Sequence, residues 1–65
     1  MSRYQFIAVV SDTDGSNLNS EQFHTIQECK DYFEYSERED FMIIDLERKT
    51  TTRYRQLEKY MFVPD

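Results

Sequence analysis

The chain has 65 residues, thirteen acidic side chains against eight basic ones, ten aromatics, and single copies of Gly, Pro, Cys and His. A chain this short buries only about 60% of its unfolded surface, which argues for one domain spanning 1–65 and against a deep enzyme cavity. A lone Cys29 forms no internal disulfide, and one Cys with one His falls short of a four-ligand zinc site, so association with another macromolecule is the remaining support for so small a fold.

The apolar fraction of 38% is low and the charged fraction of 32% is high, a balance that leans toward disorder, but five Tyr and five Phe argue for a folded domain with a thin aromatic core. No apolar run approaches the roughly 20 residues that span a bilayer. The first residues lack a secretory pattern, so a cytoplasmic setting with a reduced thiol is expected.

In chain order, Tyr4 to Val10 is β-branched and aromatic and ends at the turn-forming run 11–17, which marks the clearest strand. Leu18 to His24 reads as a polar return strand, with Leu18, Ser20, Gln22 and His24 on one face and Asn19, Glu21 and Phe23 on the other. Thr25-Ile26-Gln27-Glu28 has the form of a capping box and predicts a helix start. At 100° per residue, Ile26, Cys29, Tyr32, Phe33 and Ser36 share one side of that helix, and Glu28, Asp31, Glu34 and Tyr35 lie around the other.

After a charged break at 37–40, Phe41 to Leu46 predicts a second strong strand. The Thr- and Tyr-rich segment 50–56 follows as its hairpin partner, although Tyr54, Leu57 and Met61 also fall at helical spacing. Residues 60–63 read as a tail or an extension that Pro64 stops. The expected architecture is α+β: a four-stranded antiparallel sheet in the order ββαββ, with one helix packed on one face.

Alternation places Tyr4, Phe6, Ala8 and Val10 with Met42, Ile44 and Leu46 under the helix. Ile7, Val9, Phe41 and Ile43 are then left on an open face, an apolar surface for a second copy or another protein.

Chemistry is sparse. The loop 12–17 carries oxygens at alternate positions, but an EF-hand register begun at Asp12 puts Asn17 where Gly is required and Phe23 where a bidentate Glu is required, so it reads as a hairpin loop and no metal is expected. His24 and Cys29 lack a third orienting group. No glycine-rich phosphate loop or dinucleotide fingerprint is present, so no cofactor and no enzymatic activity are expected.

Charge is segregated. Residues 12–47 hold eleven acids and two bases, a net of −9, whereas residues 48–65 hold five bases and two acids, a net of +3. Glu28, Asp31, Glu34, Glu37, Glu39 and Asp40 therefore form a candidate acidic face for a basic, nucleic-acid-binding site on a partner protein, spaced to imitate phosphates. In size and composition the chain is similar to the small inhibitors that bacteriophages and mobile elements make. The alternatives are a nucleic-acid contact through Arg48, Lys49, Arg53, Tyr54 and Arg55, less expected for an acidic chain, and a structural homodimer.

Overall fold

The computed structural model describes residues 4–65; residues 1–3, on which the expectation about a leader partly rests, lie outside it. Five strands and one helix are present among the described residues: β1 (Phe6–Ser11), β2 (Asn19–Phe23), α1 (Ile26–Ser36), β3 (Asp40–Asp45), β4 (Thr50–Glu58) and β5 (Met61–Pro64). All neighbours pair antiparallel in the order β2-β1-β3-β4-β5. The α+β class holds, and the sheet has five strands rather than four.

The extra strand comes from the segment whose pattern was ambiguous. β4 is nine residues long; its first half pairs with β3 and its second half with β5, across a register shift between Gln56 and Glu58. Lys59 and Tyr60 make the turn, and Tyr60 takes a left-handed φ of 63°. The helical spacing of Tyr54, Leu57 and Met61 is not realised, because β-branched Thr50 to Thr52 commit the segment to the β3 edge.

The helix begins as its sequence dictates. Thr25 is extended and its hydroxyl accepts from the Glu28 amide at 3.2 Å, while Glu28 Oε1 accepts from the Thr25 amide at 3.1 Å, so two amides of the first turn are satisfied reciprocally. At the other end Ser36 Oγ donates to the Phe33 carbonyl and accepts from the Arg38 amide, and Glu37 turns left-handed with φ 55°. Thr25→Ala should cost about 1 kcal/mol and lower the melting temperature by about 4–8 °C, as read by circular dichroism. An unchanged melt would mean that the cap carries no net stabilisation.

The core lies between α1 and one face of the sheet. Phe6, Ala8 and Val10 from β1, Phe41 and Ile43 from β3, Cys29 and Phe33 from α1, and Phe62 from β5 are all buried. Phe33 is the hub: its ring stands 5.1 Å from Phe41, 5.3 Å from Phe62 and 6.0 Å from Tyr54. β5 thus reaches the core through Phe62, which packs on Phe33 in the last turns of the helix and on Phe41 of β3.

This core corrects the expected face of β3. Val10 pairs with Phe41, Ala8 with Ile43 and Phe6 with Asp45, so even positions of β1 share a face with odd positions of β3. Phe41 and Ile43 therefore point under the helix, and Met42 and Ile44 point away, opposite Val9 and Ile7. Both phases of Phe41-Met42-Ile43-Ile44 are apolar, and only the pairing register chooses between them. Tyr4 and Leu46, also expected inside, are exposed; Tyr4 instead stacks on His24 at 4.6 Å.

Candidate functional site

The turn between β1 and β2 consumes its own oxygens. Asp14 Oδ1 accepts from the Ser16 amide and hydroxyl, and Asp12 Oδ2 accepts from Asn17 Nδ2. Gly15 and Asn17 supply left-handed φ values of 85° and 53°. The Ser16 hydrogen bonds hold the Asp14 carboxyl below its ordinary pKa. These carboxylates act as turn-locking groups, the role that Asp and Asn take in tight loops.

Cys29 is fully buried, and desolvation, aided by the neighbouring Glu28 charge, pushes its thiol up to about 11. A nucleophilic thiol needs the opposite shift, so Cys29 is a core residue. It should resist a disulfide reagent at pH 8 in the folded protein and react at once in denaturant; rapid labelling of the native state would contradict this placement. The linkage has a definite sign. An exposed thiol loses its proton near 9.0 and the folded one near 11, so the Cys29 contribution to stability is complete below pH 9 and is lost as pH rises through about 11.

The acidic residues separate into two groups. Glu28, Asp31, Glu34 and Glu37 surround the outer side of α1, where Tyr35 stands with 85% of its surface exposed. Asp31, Glu34, Tyr35, Glu37, Lys59 and Tyr60 line one shallow depression of about 510 Å³. Phe23, Glu28, Asp31, Tyr32 and Tyr35 line a second of about 330 Å³, on the side toward β2. Glu39 is exposed nearby in the chain, its amide bonded to the Ser11 carbonyl. Asp40 leaves this group: it lies on the opposite face of the sheet, 4.0 Å from the Arg53 guanidinium.

Several of these carboxylates are held in place. Glu28 is fixed by the capping box. Asp31 accepts from Gln27 Nε2 at 3.1 Å. Glu34 Oε1 accepts from Gln56 Nε2 at 2.8 Å and from the Tyr60 amide at 2.6 Å, tying α1 to the β4–β5 turn. Neither ion pair formed among the described residues involves a helix carboxylate, and the Lys30 ammonium lies 5.8 Å above the Tyr54 ring. Glu28, Asp31 and Glu34 are thus ordered and outside those ion pairs, although Lys59 stands at one rim and the Arg38 charge reaches Tyr32.

The basic segment does not assemble as a single surface. Arg53 and Arg55 project from the open face, opposite Met42 and Val63, and pair with Asp40 and Asp65. Arg48 and Lys49 belong to the β3–β4 turn, where Asp45 Oδ1 accepts from the amides of Glu47 and Arg48. Tyr54 points the other way, half-buried against Phe33, with burial raising its hydroxyl pKa. A half-buried ring on the helix side is no platform for a stacked base.

The open face carries Ile7, Val9, Met42 and Ile44, all half-buried, in place of the expected set with Phe41 and Ile43. Tyr35 and Tyr60 are the site residues that sequence reasoning passed over. Tyr35 was already legible as an aromatic on the charged side of the helix, whereas the approach of Tyr60 depends on the β4–β5 turn. No helix is long and apolar enough to cross a membrane, and no group of three or more His, Cys, Asp or Glu converges on a common point among the described residues. Family models, curated proteins and solved structures all gave no match to this chain.

Proposed function

We propose that this is a non-catalytic binding protein whose outer helix side docks on a basic, nucleic-acid-binding surface of a partner protein in the cytosol and occludes it. The carrying observation is Tyr35: a highly exposed aromatic at the centre of Glu28, Asp31, Glu34 and Glu37, which no described ion pair neutralises. An exposed aromatic ringed by charge has the composition of an interface hot spot. Arginine is its natural counterpart, because a guanidinium stacks on a tyrosine face while pairing with carboxylates. Preordering of Glu28, Asp31 and Glu34 by hydrogen bonds lowers the entropy lost on docking.

The test begins with capture from the cells that make the protein, followed by titration of the purified partner. The triple variant Asp31→Lys/Tyr35→Ser/Glu37→Lys should bind at least about tenfold more weakly with an unchanged melting temperature. Double-stranded DNA and added salt should each release the wild-type complex. Equal binding by the triple variant, or a complex indifferent to both DNA and salt, would overturn the reading.

A further inference from the structure

Strand β2 is a sheet edge with a groove beside it. The strand order leaves its outer side unpaired among the described residues, and Asn19 to Gln22 are all exposed. Natural sheets blunt such edges with proline, lysine or a bulge. The β5 edge has two of these features, ending at Pro64 and joined to β4 through an irregular register. β2 is short, but it contains no Pro or Lys and pairs with β1 in unbroken register from Phe23 to Asn19.

Beside this edge, Phe23 and Tyr32 stand 5.5 Å apart, and with Glu28, Asp31 and Tyr35 they line the depression of about 330 Å³. Burial raises the Tyr32 hydroxyl pKa, the Glu21 charge adds to the rise, and Arg38 opposes it. Glu21 is thus electrostatically coupled to the groove. Phe23 and Glu21 lie opposite Phe6 and Ala8, on the helix side of the sheet.

A strand added to β2 would lie about 4.8 Å away and send alternate side chains over this groove. Run antiparallel, it would set one residue against Phe23 and the residue two places later against Glu21. We propose that β2 is a strand-addition edge for an extended segment of a basic partner protein, with an apolar side chain over Phe23 and Tyr32 and, two residues on, a Lys or Arg facing Glu21. This rests on the acidic docking reading and specifies how the partner is held. Two-fold β2–β2 pairing centred on Glu21 would set like charges opposite each other, which disfavours a second copy in that register, whereas a basic segment gains from the same Glu21 charge.

The probe is the capped peptide acetyl-Thr-Leu-Thr-Arg-Thr-Arg-amide, titrated at low salt into the isotopically labelled full chain. Strand addition predicts shifts and slowed amide exchange across Asn19–Phe23, with accompanying shifts at Tyr32. Methylation of alternate peptide amides, Arg→Glu in the peptide, or Glu21→Lys in the protein should each weaken binding about tenfold or more. Absence of shifts at roughly 1 mM peptide overturns the proposal. So does equal binding of the methylated peptide with shifts confined to Tyr35 and its neighbours, but that result leaves acidic docking standing. Concentration-dependent protection of β2 without peptide would overturn it in favour of self-pairing. Loss of salt-sensitive partner capture, by contrast, would remove the docking reading itself.

Discussion

Ile43→Glu is expected to abolish the cooperative fold, whereas Ile44→Glu, one residue along, should leave a folded protein. Ile43 is 3% exposed among Phe6, Ala8 and Phe41, and a carboxylate there must either ionise without a partner or stay protonated against its ordinary pKa. Both routes cost several kcal/mol. A 65-residue domain has about 3–10 kcal/mol of stability in total, so little remains. Ile44 faces away from the helix and is half-buried beside Ile7, so its substitution should cost about 1 kcal/mol. Urea titration followed by circular dichroism separates the two: a flat, non-cooperative curve for the first and a shifted sigmoid for the second. The reverse order would mean that β1 and β3 pair one residue out of register. The pair also provides the proper test of the open face as a homodimer surface, because Ile44→Glu, unlike Ile43→Glu, alters that face without emptying the core.

Phe33→Ala should be nearly as severe. The Phe33 ring is 1% exposed and touches rings from three elements, at 5.1 Å from Phe41 in β3, 5.3 Å from Phe62 in β5 and 6.0 Å from Tyr54 in β4. Phe→Ala in a packed core costs about 3–5 kcal/mol, and the loss of aromatic pairing adds to it. The expected result is collapse of amide dispersion at 25 °C, with the β4–β5 hairpin losing exchange protection first, because Phe62 anchors it to the helix. A protein that keeps its dispersion and loses only a few degrees of melting temperature would show that the sheet stands without the aromatic cluster.

The local readings that survived share a physical basis. The capping box at Thr25 and Glu28, the hairpin turn at 12–17 and the inward phase of β1 all depend on residues close together in the chain, where hydrogen-bonding chemistry or alternation leaves one solution. β3 is the counterexample: four consecutive apolar residues satisfy either phase, and the partner strand decides. β4 and β5 are the other. Their segment carries both periodicities, and the strand wins because Thr50 to Thr52 pair with β3 and Phe62 finds Phe33 and Phe41 across the domain.

The candidate site divides along the same line. That Glu28, Asp31, Glu34 and Tyr35 share the outer side of a helix follows from its 3.6-residue turn and is legible from the sequence. The transfer of Asp40 to the far face beside Arg53, the approach of Tyr60 to Glu34, and the turning of Tyr54 into the core are not. Composition and order by themselves determined an acidic α+β domain with a capped amphipathic helix and a charge excess concentrated in residues 12–47. Tertiary structure decided which apolar face closes over the helix, which carboxylates gather around Tyr35, and that β2 is left as an open edge among the described residues. Turn and cap chemistry acts between neighbours in sequence, whereas strand register and sheet order depend on contacts between segments that the chain keeps far apart.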